Sequence, residues 1–105
     1  MTRRDAFIMK LKPGCAEEYK KRHREIWPEL VRRHSEFGIR DYSIFFDEKS
    51  LVLFAFRRIE EGAAPEEMRK DPLVRRWWDF NADLMECHSD HEPIATPLEE
   101  VFHMD

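Results

Sequence analysis

Residues 17–30 read EEYKKRHREIWPEL, and the rest of the chain is organised around the helix that this stretch predicts. At 3.6 residues per turn, one stripe of that helix is apolar apart from a phenol and an imidazole, and it contains Tyr19, His23, Ile26, Trp27 and Leu30. Tyr19 and His23 are one turn apart, about 6 Å along the axis, so one small molecule can reach both side chains. The imidazole is interpreted either as an acid/base group or as a core histidine bonded to a backbone carbonyl.

Composition restricts the classes of protein to which the chain can belong. Its 105 residues, 42% of them hydrophobic, are enough for one core, so we expect a single domain over residues 1–105. The net charge of -4 is spread along the chain without a basic block, which argues against a nucleic-acid partner. An apolar run of about 18 residues and a signal peptide are both absent, so no membrane partner is expected. Cys15 and Cys87 form no CxxC pair, which predicts a cytoplasmic protein without a disulfide framework.

Hydrophobic periodicity and turn residues predict an α+β fold with the element order β-α-β-β-α-β, the ferredoxin-like arrangement. The predicted strands are residues 5–11, 39–46, 51–59 and 98–104, and the predicted helices are residues 16–37 and 73–86. Pro28 lies inside the first helix, so we expect a kink near Ile26 or a restart at Trp27. Gly38 is expected to end that helix.

The hairpin predicted for residues 39–59 is apolar on both faces. Alternate residues of its second strand form two hydrophobic sets, Leu51, Leu53 and Ala55 on one face and Val52, Phe54 and Phe56 on the other. Two helices cover only one face of a four-stranded sheet. We therefore expect a homodimer that packs sheet against sheet into a dimeric α/β barrel, with an uncovered monomer as the alternative.

Two further stretches are candidates for chemistry. Trp77 and Trp78 point about 100° apart on a helix, so we expect one ring in the core and the other at a cavity, where an indole suits the apolar face of a sugar. Residues 87–92, CHSDHE, contain metal-ligand side chains, but their spacing matches no closed site, so the sequence predicts a solvated loop and no metal. The phosphate loop, the dinucleotide fingerprint and the nucleophile elbow are absent, so we expect neither a redox cofactor nor covalent catalysis.

Several short motifs, in this order and at these separations, resemble the L-rhamnose mutarotase family over nearly the whole chain. The motifs are Tyr19-x-x-x-His23, Ile26-Trp27-Pro28-Glu29-Leu30, Tyr42, Arg76-Trp77-Trp78 and Leu98-Glu99-Glu100-Val101-Phe102. The His-rich loop at residues 87–92 departs from the family pattern, and a loop bordering the pocket would affect which sugar is preferred.

The resemblance implies a ferredoxin-like homodimeric isomerase that interconverts the α and β anomers of L-rhamnose without a cofactor. It implies that His23 is the proton donor. By the same resemblance, the sugar-contacting residues are Tyr19, Tyr42, Trp77 and Trp78. Apart from the resemblance, Asp79 and Asp83 are further candidates for the second proton-transfer partner, because they lie near the pocket side of the second predicted helix.

Two other functions are compatible with the predicted architecture. A cofactor-free monooxygenase of the same dimeric fold would use the inward-facing rings to stack a flat aromatic substrate. A non-enzymatic ligand-binding module would use His23 only as a structural residue.

Overall fold

The computed structural model describes all residues, Met1–Asp105. Its strands are β1 (Thr2–Lys10), β2 (Ile39–Asp47), β3 (Val52–Glu60) and β4 (Thr96–Pro97). Its helices are α1 (Ala16–Arg24), α2 (Pro28–Glu36), a 3-10 helix (Pro65–Lys70) and α3 (Pro72–Asn81). The strands form one antiparallel sheet in the order β2-β3-β1-β4. None of the helices combines the length and the apolar character that crossing a membrane requires.

The long first helix is divided in two, and the predicted restart at Trp27 is confirmed. Trp27 has an extended backbone, with φ -64° and ψ 125°, and Pro28 occupies the first turn of α2. A proline is favourable there because its missing N–H would have no partner in a first turn and its fixed φ suits a helix. Gly38, at φ +81°, follows α2 as expected and leads into β2.

The predicted hairpin is confirmed, with β2 and β3 antiparallel and Phe46 opposite Leu53. Its register shifts between Arg40 and Ser43, which is a β-bulge. Within this bulge Asp41 has a φ of +51°. Bulges of this kind bend a strand and redirect side chains, and here the redirected side chain is Tyr42.

The predicted end of the last helix is wrong. α3 ends at Asn81, and Leu84 and Met85 are buried in the turn that follows it. Met85 forms a β-bridge with Leu11, so the backbone beyond α3 pairs with the end of the first strand instead of continuing the helix. Phe80, on α3, is 45% exposed.

The prediction of a last strand over residues 98–104 is also wrong. β4 contains only Thr96 and Pro97, and the backbone N–H of Leu98 donates one further hydrogen bond to Ala6. Beyond that point the Arg4–Glu100 ion pair, at 2.8 Å, holds the chain. The apolar side chains that suggested a strand remain exposed because no element of this chain covers them.

The hydrophobic core is split into two clusters beneath the helices. The first cluster contains Met9, Leu11, Tyr19, Leu53, Ala55, Leu84 and Met85. The second cluster contains Leu30, Ile39, Ile59, Met68, Val74 and Trp77. Along β3, the residue that lies between Ala55 of the first cluster and Ile59 of the second, on the same face, is Arg57. A polar region therefore divides the core.

Candidate active site

A cavity of about 1320 Å³ lies between the helices and the sheet. It is larger than the roughly 300–1,000 Å³ of a typical small-molecule site, so it accommodates a monosaccharide and water. The five predicted site residues all line it, namely Tyr19, His23, Tyr42, Trp77 and Trp78. The structure thus brings together residues from α1, β2 and α3.

His23, in the last turn of α1, is fixed through one ring nitrogen. Nδ1 donates to the carbonyl oxygen of Tyr19 at 2.9 Å, whereas Nε2 makes no hydrogen bond within the protein. Burial lowers the pKa of His23 below 6.5, and the bond to the Tyr19 carbonyl opposes that shift only in part. The imidazole is therefore mainly neutral at neutral pH, and Nε2 is available to take a proton and return it. His23 therefore combines the two interpretations of the sequence, because Nδ1 is bonded to a backbone carbonyl and Nε2 is free for acid/base exchange.

Tyr19 lies next to this imidazole and is 7% exposed. The two ring centroids are 4.1 Å apart. Burial, with a smaller contribution from Tyr42, raises the pKa of the Tyr19 phenol, so its hydroxyl stays protonated. That hydroxyl makes no hydrogen bond within the protein, although its ring packs in the first core cluster. The phenol can therefore donate a hydrogen bond to a bound molecule.

Tyr42 enters the cavity from the β2 bulge. Its ring centroid is 6.4 Å from that of Phe7 and 5.9 Å from that of His34. Desolvation by the surrounding protein raises the pKa of Tyr42, the Arg57 charge lowers it, and Asp5 raises it. The hydroxyl has no partner within the protein, so two protonated phenols are available in the same cavity.

The two tryptophans occupy different environments, as their 100° separation predicts. Trp77 is 8% exposed and belongs to the second core cluster. It also packs edge-on against His23, with ring centroids 5.2 Å apart. Trp78 is half-buried at the cavity wall, where the Arg75 guanidinium lies 5.2 Å from its ring centroid. That either indole contacts a sugar stays a prediction.

His34, on α2, was not identified from the sequence, although it repeats the geometry of His23. Its Nδ1 donates to the carbonyl oxygen of Leu30 at 2.9 Å, and Nε2 has no partner within the protein. Burial lowers its pKa, the Leu30 carbonyl raises it, the Arg57 charge lowers it and Asp71 raises it, with a net decrease. In both histidines the ring Nδ1 donates to the backbone carbonyl four residues earlier. The spacing of residues in the sequence does not reveal this hydrogen bond.

The Asp5–Arg57 pair was also missed. Arg57 Nε donates to Asp5 Oδ2 at 2.8 Å across neighbouring strands. A sequence signal existed for Arg57 alone, because it interrupts the alternate set of residues that includes Ala55 and Ile59.

The remaining candidates lie at the edge of the cavity or outside it. Neither Asp79 nor Asp83 lines the cavity. Asp79 accepts a hydrogen bond from His91, and Asp83 is paired with Arg22. Glu92, from the loop at residues 87–92, does border it. The loop whose sequence departs from the family pattern is thus close enough to influence the ligand.

Taken together, these groups suit proton transfer on a neutral hydroxylated molecule. A neutral imidazole exchanges a proton at one free nitrogen, phenols donate hydrogen bonds, and aromatic rings provide apolar walls.

Comparison with known proteins agrees with this chemistry. The family model described as L-rhamnose mutarotase matches residues 4–104. The L-rhamnose mutarotase of Mesorhizobium japonicum is 51% identical, over 99% of both chains. That of Phocaeicola vulgatus is 47% identical, over 98% of this chain and 99% of the relative. The crystal structure of L-rhamnose mutarotase from Formosa agariphila superposes with a TM-score of 0.91 at 42% identity, over 98% of this chain and 99% of that one. These relatives favour an isomerase over the monooxygenase and the non-enzymatic module, and the chain belongs to the L-rhamnose mutarotase family.

Proposed function

We propose that this protein interconverts the α and β anomers of L-rhamnose by acid/base opening and closing of the sugar ring. The observation that carries the proposal is the state of His23, which lines the cavity with Nδ1 fixed by a backbone carbonyl and Nε2 without a partner within the protein. The relatives named as L-rhamnose mutarotases supply the identity of the sugar.

The reaction needs two proton transfers in each direction. As the bond between C1 and the ring oxygen breaks, the ring oxygen gains a proton and the anomeric hydroxyl loses one, which leaves an aldehyde. Rotation about the C1–C2 bond then presents the other aldehyde face, and ring closure reverses both transfers. His23 takes up a proton at Nε2 in one of these transfers and returns it in the reverse transfer, a contribution of about 10²–10⁴ in rate.

Tyr19, beside His23, is proposed to relay the second proton, and Tyr42, beside Arg57, is proposed to hold a sugar hydroxyl. Their raised pKa values keep both phenols protonated, so a relay passes one proton on as it takes another and avoids a free phenolate. Trp77 and Trp78 are proposed to contact the apolar surface of the sugar ring. The wall that they form also excludes water from the reacting atoms.

We further propose that the fold is ferredoxin-like and that two copies pack through the sheet face opposite the helices. On that face Phe45 is 69% exposed and Phe54 is 46% exposed. In the terminal segment Val101 and Phe102 are 87% and 74% exposed. A second copy supplies the layer that one chain lacks, because exposed apolar patches of this kind mark interaction sites.

The test measures exchange between the anomeric protons of L-rhamnose by NMR saturation transfer. His23→Gln should reduce the rate enhancement by at least about a hundredfold, because glutamine cannot shuttle a proton at neutral pH. His88→Gln is the matched control, since His88 is exposed and outside the cavity, and it should behave as the wild type. Exchange at the wild-type rate in a folded His23→Gln protein would refute the assigned role.

A further inference from the structure

The gap between the two core clusters contains an ion pair on the sheet floor of the cavity. Asp5 and Arg57 face each other across β1 and β3, and their side chains are 25% and 17% exposed. Arg57 lies between two aromatic rings, with its guanidinium carbon 5.0 Å from the centroid of Phe7 and 5.8 Å from that of Tyr42. The ion pair is thus held in a defined orientation at the cavity surface.

Only part of the hydrogen-bonding capacity of this pair is used within the protein. Arg57 donates through Nε, and neither Nη donates to another protein atom. Asp5 accepts through Oδ2, while Oδ1 accepts no hydrogen bond. The neighbouring Tyr42 hydroxyl and the Nε2 of His34 are unpartnered as well, so donors and acceptors converge on one wall.

Stabilisation of the fold does not account for this arrangement. Partial burial removes both charges from water, and an ion pair in such a position often contributes less stability than well-packed apolar residues would. A pair with free donors and a free acceptor does match a neutral diol, because each sugar hydroxyl both donates and accepts. Its zero net charge also suits an uncharged ligand.

This wall is separate from the one that carries the proton-transfer group. His23 contacts the rings of Tyr19 and Trp77, whereas Arg57 contacts those of Phe7 and Tyr42. A sugar whose anomeric carbon is at His23 therefore presents other atoms to Arg57.

We propose that Asp5 and Arg57, with His34 beside them, form a specificity subsite that binds two adjacent ring hydroxyls of the sugar at the end away from the anomeric carbon. This inference rests on the proposed function. Arg57 donates to one hydroxyl through Nη, Asp5 accepts from its neighbour through Oδ1, and His34 Nε2 accepts from a hydroxyl. The bonds are made in the ground state and the transition state alike, so the subsite governs affinity and selectivity and does not change the chemical step.

The decisive variant is Arg57→Met combined with Asp5→Leu, which removes the guanidinium donors and the carboxylate acceptors without leaving an unpaired buried charge. L-Rhamnose binding is measured by tryptophan fluorescence titration, and kcat and KM by NMR exchange. Binding should weaken about tenfold to a hundredfold, the expected effect of hydrogen bonds to charged groups. The value of kcat should change by less than about threefold, because the subsite binds both states equally.

One control variant and a series of sugar derivatives test the subsite further. Arg32→Met is the matched control, because Arg32 is an exposed arginine on α2 that does not line the cavity, and it should leave affinity unchanged. Derivatives of L-rhamnose that each lack one ring hydroxyl identify the contact. For a derivative that lacks one contacted hydroxyl, the double variant should lose less affinity than it loses for L-rhamnose itself, because one of the two contacts is already absent. Unchanged affinity in the double variant, or an equal loss for every derivative, would overturn the subsite.

A fall in kcat at constant affinity would also overturn it, since that result places the pair at the reacting atoms. The proposed function fails separately, when the wild type binds L-rhamnose without accelerating anomer exchange. In that event the fluorescence titrations still test the diol contacts.

Discussion

At the scale of single residues, the candidate site contains two histidines that each use one ring nitrogen in a hydrogen bond to the backbone. His23 and His34 both donate from Nδ1 to the carbonyl four residues earlier. The i to i+4 spacing of Tyr19 and His23 is local, so their proximity was predictable from the sequence. The Asp5–Arg57 pair spans 52 positions of the chain and depends on strand register, so sequence reasoning did not find it.

The depressed histidine pKa values predict an acid limb in the pH profile. Because burial lowers the pKa of His23 below 6.5, kcat/KM should be constant above about pH 6.5 and should fall at lower pH as His23 becomes protonated. The free energy of unfolding should fall over the same range. The unfolded chain has the higher histidine pKa and binds more protons there, so this stability is present above pH 6.5 and is lost as the pH falls through the lowered value.

The measurements are rate profiles and urea titrations between pH 5 and 8. His34→Gln should reduce the pH dependence of stability. It should lower kcat/KM, because the subsite loses an acceptor, while the acid limb due to His23 remains. An acid limb centred above 6.5, or one that disappears in His34→Gln, would contradict this assignment.

At the scale of elements, ends that are set by a local signal were predictable, and ends that are set by pairing with a distant residue were not. The restart at Trp27 and the stop at Gly38 follow from backbone restrictions on proline and glycine. The end of α3 was mispredicted because Met85 pairs with Leu11, a residue far away in the sequence. Residues 98–104 have the apolar character of a strand, but backbone pairing with β1 ends near Ala6.

Gly38 provides a prediction with an internal control. A Cβ there would lie 2.7 Å from the Ala63 Cβ and 3.2 Å from the Glu60 Cβ, and the φ of +81° is itself unfavourable for alanine. We expect Gly38→Ala to lower the free energy of unfolding by about 3 kcal/mol, from backbone strain and overpacking together. Gly14→Ala has a similar φ of +79° and open space around it, so it should cost about 1 kcal/mol. Equal losses in urea titrations of the two variants would show that the contact with Ala63 is unimportant.

At the scale of the whole molecule, one face of the sheet is covered by helices and the other is open. The apolar pattern on both faces of the hairpin was visible in the sequence, since alternation assigns residues to faces without knowledge of the fold. Phe45 and Phe54 are exposed on the open face, whereas Leu53 and Ala55 are buried on the other.

We expect a dimer in sedimentation-velocity experiments, and Phe45→Asp should shift it towards the monomer by placing a charge in an apolar contact. Ile94→Asp is the control, because Ile94 is 42% exposed in a loop and should leave the mass unchanged. A wild-type monomer at micromolar concentration would rule out the sheet-to-sheet assembly.

Because the core is divided, binding of L-rhamnose should raise the thermal stability of the protein. A sugar seated between the two hydrophobic clusters would connect them, so unfolding would require its release. At a concentration a hundred times the dissociation constant, L-rhamnose should add about 2.7 kcal/mol to the unfolding free energy, visible as a higher midpoint in calorimetry. Without L-rhamnose the protein would then be more labile and should be cleaved faster by proteases than the sugar-bound form.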